Sequence, residues 1–222
     1  MIQGILFDMD GILFDTECLC MRVSQQLFTD MGRCMTDEMY RQLIGRTIRF
    51  ADRRIKEFFG EDFDLDYYNS QLFARLNHHF EQHGIPEKDG VGPLLQYLSA
   101  QGLKTAVASS NSIDIVRQYL DTSGLAPYFD AVIGGDMVKE GKPAPDVYLA
   151  AAQALGLPPN CCLAVEDSHN GILSASAAGC ITVMIPDLLP PTEELRPLCA
   201  AVLEQLSDIP VFLAAHNGTA AL

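Results

Sequence analysis

The chain has 222 residues, enough for one or two domains with a sizeable apolar core and no need of disulfides for stability. Its formal net charge is −14 and its pI is about 4.6, so its surface repels nucleic-acid phosphates and anionic lipid, which excludes both as general partners. No apolar run reaches membrane-spanning length, and an anionic substrate would need positive charge concentrated locally.

In chain order, the first apolar run covers residues 2–7 and ends in Asp8, Met9, Asp10 and Gly11. Runs apolar at successive positions rather than alternating are expected for strands covered on both faces. About 70 residues follow, 16–84, above the ~50-residue floor for a domain, and they read as helical throughout. Cys20, Val23, Leu27 and Met31 form one face of this insert; Ile55, Phe58 and Phe59 form another, and Leu72, Leu76 and Phe80 a third. From Gly92 onward short apolar runs at 105–108, 131–133, 162–165 and 181–185, with a weaker one at 200–203, alternate with amphipathic segments. The stripe Val147, Ala151, Leu155 is followed by Gly156 as a helix cap. The alternation predicts an α/β fold, a doubly wound parallel sheet built from 1–15 and 85–222, with 16–84 as an inserted α-helical cap. Residues 216–222 are small or polar and are expected to fray.

Seven cysteines, an odd number without Cys-x-x-Cys spacing, read as reduced packing residues, and no signal-peptide layout precedes the first strand. The expectation is a cytoplasmic protein. His78-His79 lacks metal-ligand spacing, and His169 reads as a helix-start residue. The stretch from Gly134 to Lys142 only superficially suggests a phosphate-binding loop, because Pro143 stands where Ser or Thr is required.

In open α/β sheets ligands bind beyond the carboxyl ends of the strands. There the first run presents Asp8 and Asp10, two apart and able to project the same way. The second presents Ser109, Ser110 and Asn111 at a helix start, the third leads to Lys142-Pro143, and the fourth to Glu166 and Asp167. Singly, each residue is an ordinary turn, cap or surface residue. Together, clustered carboxylates call for a cation, and all-oxygen ligands suit Mg²⁺. Ser109, a helix N-terminus and Lys142 complete an anion pocket, an inventory that matches phosphoryl transfer.

These four clusters, Asp8-x-Asp10-Gly11, Ser109, Lys142-Pro143 and Glu166-Asp167, resemble in order and spacing the four motifs of the haloacid-dehalogenase-like hydrolases, and the insert resembles the cap of the β-phosphoglucomutase-like branch. The resemblance implies that Asp8 is a nucleophile forming an aspartyl phosphate and that Asp10 is the general acid and base. It implies that Ser109 and Lys142 hold the phosphoryl oxygens. It further implies that Mg²⁺ is held by Asp8, the Asp10 carbonyl and Asp167, with Glu166 as a closer or water-mediated ligand. Thr16, Arg46, Arg49, Ser110 and Asn111 are the expected substrate contacts, and the expected partner is a small phosphorylated metabolite met by a monomer. Dehalogenases of this kind lack the second aspartate, which is present here. Phosphonatases use a cap lysine, and the insert has only Lys56. A β-phosphoglucomutase is the serious alternative, since Asp15-Thr16 and Gly45-Arg46-Thr47 with Arg49 resemble its motifs, although Cys20 stands where that group has a cap histidine. A non-catalytic phospho-ligand module and a signalling receiver are the remote ones, the receiver being shorter and without a cap.

Overall fold

The structure is a computed structural model that describes residues 1–218. The strands are β1 (Gly4–Phe7), β2 (Lys104–Ala108), β3 (Ala131–Ile133), β4 (Cys162–Glu166), β5 (Ile181–Met184) and β6 (Ala201–Val202). The helices are α1 (Glu17–Asp30), α2 (Asp37–Arg41), α3 (Ile48–Phe59), α4 (Leu65–His83), α5 (Val91–Ala100), α6 (Ile113–Ser123), α7 (Asp146–Leu155), α8 (His169–Ala177) and α9 (Ile209–Asn217). All strand pairs are parallel, in the order β3-β2-β1-β4-β5-β6, the doubly wound arrangement read from the sequence.

The non-alternating apolar runs are explained by burial of both sheet faces. Along β1, Ile5 and Phe7 pack into one cluster and Leu6 into the opposite one, and in β4 Leu163 and Val165 separate in the same way from Cys162 and Ala164. The second face is lined by small side chains, Ala106, Ala108 and Ala164, which lets α7 lie close with its own Ala151 and Ala152. The predicted stripe Val147, Ala151, Leu155 is buried there, and Gly156 caps α7 in the left-handed conformation.

Four helices, α1 to α4, stand between β1 and α5, separated by loops, so the insert is less uniformly helical than the sequence reading has it. Its centre is aromatic: Phe28 is fully buried and lies 4.7 Å from both Phe59 and Tyr68. The predicted faces do not all serve that centre. Leu76 and Phe80 belong instead to the main core beside Phe14 and Tyr119, and Phe58 lies under Arg54 outside the cluster. The two crossings between insert and sheet run side by side. Asp15 N donates to Pro86 O at 2.8 Å, Lys88 N donates to Leu13 O at 3.0 Å, and Phe14 bridges Glu87.

The expectation of a frayed end over 216–222 is corrected in part. His216 and Asn217 lie in α9, and the Asn217 side chain accepts from Ile2 N at 2.7 Å and donates to Ile2 O at 3.2 Å. That pairing occupies the backbone groups of Ile2 ahead of β1, while Gln3 pairs with Cys161 O and Lys104 N. Residues 219–222 lie outside the described residues.

Truncating Phe28 leaves a cavity among stacked rings, so Phe28→Ala is expected to lower stability by about 3–5 kcal/mol in urea unfolding monitored by circular dichroism. A change below about 1 kcal/mol would mean that these helices do not pack as described.

Candidate active site

The site is assembled at the switch point of the sheet, where β1 lies between β2 and β4. Asp8 leaves β1 with its N–H donated to Val165 O at 3.0 Å, which seats it beside the end of β4. The chain then turns sharply at Gly11, whose φ is +79°. Any Cβ there would stand 2.5 Å from an Asp167 carboxylate oxygen, so only glycine serves both the backbone and the neighbour.

Lys142, preceding a cis proline, is buried between two carboxylates. Its Nζ donates to Asp8 Oδ1 and to Glu166 Oε1, each at 2.5 Å. Tyr148, in the first turn of α7, donates its hydroxyl to the same Glu166 oxygen at 2.7 Å. The other oxygen of Glu166 accepts from the N–H groups of Asp167 and Ser168 and from the Ser168 hydroxyl, at 3.1–3.2 Å. Gly171 leaves room for this carboxylate beneath the first turn of α8, where a Cβ would overlap it. Five donors thus converge on Glu166. These bonds fix Lys142 and the start of α8, and the same carboxylate also stands beside those of Asp8 and Asp167. Asp167, by contrast, makes no side-chain hydrogen bond or ion pair among the described residues.

The carboxylates of Asp8, Glu166 and Asp167 each offer an oxygen within 4.8 Å of the others. Three negative groups there face one ammonium. Burial pushes the Asp8 carboxyl up, against the opposing pull of Lys142. Burial, with Glu166 and Asp8 adding to it, pushes Asp167 up further. Lys142 itself is raised: burial alone would lower it, but Asp8 and Glu166 outweigh that and keep it charged. A buried group of oxygens with excess negative charge, including a carboxylate without a protein partner, fits a hard divalent cation.

Asp10 is held differently. Thr16 Oγ1 donates to one of its oxygens at 2.5 Å and Asn111 Nδ2 to the other at 2.6 Å. Burial raises its pKa, with both hydrogen bonds opposing. Thr16 was expected to touch substrate. It is instead fully buried and does not line the cavity, because its hydroxyl is turned to Asp10. Ser109 is buried at the end of β2, and its Oγ accepts from Asn111 N at 3.1 Å. Ser110 donates to Gly45 O and Asn170 to Ile44 O, both at 3.3 Å, joining the sheet to the insert.

A cavity of about 190 Å³ runs from Asp8, Asp10, Ser109 and Asp167 toward α3 and α4. Ser110, Asn111 and Arg46 line it, whereas Arg49 lines only an outer groove. Glu17, Asp52 and Asn69 are among the further lining residues absent from the sequence reading. Burial and the nearby Asp10 push the Glu17 carboxyl to about 8. His169 binds Pro190 O as a helix-start residue, and Lys56 faces Glu61 at the surface, as expected of residues outside the chemistry.

Residues 5–185 match the profile of the haloacid dehalogenase-like hydrolases. The chain is 32% identical over 188 residues to hexitol phosphatase A of Escherichia coli, covering 82% of each. It is 28% identical to a phosphorylated carbohydrates phosphatase of Thermotoga maritima, covering 80% of this chain and 82% of that one. Among solved structures, CbbY of Rhodobacter sphaeroides bound to xylulose-1,5-bisphosphate superposes with a TM-score of 0.79 at 28% identity, over 94% of this chain and 96% of that one.

Removing the charge of Lys142 strands two buried carboxylates. Lys142→Met is expected to cost about 3–5 kcal/mol of stability, and adding Glu166→Gln is expected to recover part of it. Equal stability of Lys142→Met and wild type in chemical denaturation would show that the ion triad is not buried as described.

Proposed function

The chain belongs to the haloacid dehalogenase-like hydrolase family, and from that membership we propose that it is a magnesium-dependent phosphatase of small phosphorylated metabolites. The observation that carries this reading is Asp10, aimed at the cavity with both carboxylate oxygens held, two residues beyond the Lys142-paired Asp8. Two carboxylates kept in different environments are what a nucleophile and a proton carrier require. The named activities of relatives, phosphatases of hexitols and of phosphorylated carbohydrates, support a sugar-phosphate-like substrate.

In this reading Asp8 attacks phosphorus through a carboxylate oxygen while the bond from phosphorus to the leaving oxygen breaks. Asp10 delivers its proton to that oxygen, and the Thr16 hydroxyl can accept from the protonated carboxyl as readily as donate to the ionised one. A water then attacks phosphorus, Asp10 takes a proton from it, and the aspartyl phosphate is cleaved to free Asp8 and inorganic phosphate. Lys142 and Ser109 hold the phosphoryl oxygens, and Lys142 favours the ionised Asp8 that the attack needs. Mg²⁺ would be held by Asp8, the Asp10 carbonyl and Asp167, with Glu166 behind Lys142, and would supply neutralisation of the phosphoryl charge. Residues 16–84 act as a cap over 1–15 and 85–222, excluding water from the chemistry.

Phosphate release from a panel of phosphorylated metabolites is expected to require Mg²⁺, to stop with EDTA and to vanish in Asp8→Asn. Asp10→Asn is expected to lower kcat by about 10²–10⁴-fold. Activity independent of Asp8 would sink the assignment. Conversion of β-glucose 1-phosphate to glucose 6-phosphate without net phosphate release would establish a mutase instead.

A further inference from the structure

We propose that Lys88 is a positioning residue for the reaction: its ammonium holds residues 186–190 as a strap that seats the insert over Asp8. The proposal rests on the phosphatase reading and deepens it, because it says what keeps the insert in place during turnover.

Within six residues the chain after β5 is anchored to the sheet, to the insert and to α8. Ile185 N donates to Glu166 O at 2.8 Å, which ties the start of this stretch to the end of β4. Leu188 and Leu189 then leave the sheet and pack against the insert's cluster around Phe28. Pro190 O accepts from the His169 ring nitrogen Nε2 at 2.8 Å, which returns the chain to the first turn of α8. Asp187 stands in the middle of this excursion, directly before the two leucines.

Lys88 closes the strap onto the two crossings between insert and sheet. It lies on the second crossing, where its own N–H donates to Leu13 O at 3.0 Å. Its Nζ donates to Asp187 Oδ1 at 3.0 Å and reaches Asp15 Oδ1, on the first crossing, at 3.4 Å. One ammonium therefore joins both crossings and the strap. The other Asp187 oxygen is buried without a partner among the described residues, so the bond from Lys88 is what offsets this carboxylate. The Asp187 side chain is 13% exposed, which separates this pair from freely solvated ones that contribute little. Burial alone would lower the Lys88 pKa, but Asp187 and Asp15 outweigh it and keep the ammonium charged.

The strap also lies within electrostatic reach of the chemistry. Burial, Glu166, Asp8 and Glu17 push the Asp167 carboxyl up, and Asp187 adds to them. Without the Lys88 charge, Asp187 is left covered and unpaired, and it turns out toward water. Leu188 and Leu189 are its chain neighbours and are drawn away from the Phe28 cluster with it. The insert is then seated for a smaller fraction of the time. A site that is competent only part of the time binds with an affinity reduced by that fraction, although saturating substrate still fills it.

The test uses Lys88→Met, Lys88→Arg, Asp187→Asn and the double variant Lys88→Met with Asp187→Asn. Kinetics are measured at saturating Mg²⁺ on the best substrate of the metabolite panel, and amide hydrogen exchange of the full chain is read by mass spectrometry. Lys88→Met and Asp187→Asn are each expected to raise KM about five- to tenfold, with kcat within about twofold of wild type. The double variant is expected to lose no more than either single one, because both remove the same bond. Lys88→Arg is expected to restore most of the loss. Exchange is expected to quicken over 186–190 and 16–31 and to stay unchanged over 104–108. The proposal is overturned by an unchanged kcat/KM in Lys88→Met, by additive losses in the double variant, or by exchange that quickens in the sheet as much as in the strap. Wild type reads the parent assignment separately. If it releases phosphate from no member of the panel, the phosphatase reading falls and takes this proposal with it. If it does so and Asp8→Asn does not, while Lys88→Met matches wild type, only this proposal falls.

Discussion

The rest of the site depends on one buried ammonium, Lys142, wedged between Asp8 and Glu166. Taking such groups out of water costs several kcal/mol per ion, and only close pairing with fully committed hydrogen bonds offsets it. That requirement dictates much of the surrounding architecture. Glu166 must saturate its second oxygen, so it sits under the first turn of α8 and collects the N–H groups that a helix start leaves free. Tyr148 must stand in the first turn of α7, five residues beyond the cis proline, to complete the first oxygen. Neither residue needs to touch a substrate for its placement to matter, because each fixes the group that neutralises Asp8.

The sheet makes this convergence possible. Asp8 and Glu166 come from adjacent strands paired in parallel, with Phe7 opposite Val165, so both carboxylates emerge at the same level of the same edge. Lys142 arrives from the long connection between β3 and α7, and Tyr148 reaches it because the alanine-lined face draws α7 close to β1 and β2. A bulkier residue at Ala106 or Ala164 would lift that helix and its tyrosine away from Glu166. Core packing on one face of the sheet and the electrostatics at its edge are therefore one problem.

The strands and their polar ends were legible in the sequence because each is a local signal: a short apolar run, then a carboxylate, serine or lysine. Ser109, Lys142, Asp8 and Asp10 could be singled out in that way, and the structure brings them to one edge. What was not legible depends on contacts across elements. Tyr148 reads as one more member of an amphipathic helix, and nothing adjacent to it announces Glu166, 18 residues away. Thr16 lies where a substrate contact was expected, yet its hydroxyl is spent on Asp10, a pairing fixed by how the turn after Gly11 folds back. Leu76 and Phe80 have the period of a cap helix face, and period alone does not say which core the face meets. Asn217 looked like tail sequence because its partner is at the other end of the chain.

The site divides along the same line as the fold. Its chemical end is fixed by side chains from strand ends, tied to one another by short hydrogen bonds that leave little freedom to vary. The far end is set by Asp52 and Asn69, whose helices owe their relative position to the aromatic cluster around Phe28 rather than to the sheet. A substitution at the far end can therefore alter what the cavity accepts without moving the ion triad, since no charged or hydrogen-bonded group is shared between them. The contacts that join the halves, Ser110 to Gly45 and Asn170 to Ile44, use backbone carbonyls of the insert. The seam also demands particular side chains: a Cβ on Gly45 would stand 2.5 Å from Ser168 Oγ, and Leu76 and Phe80 of the insert pack into the main core.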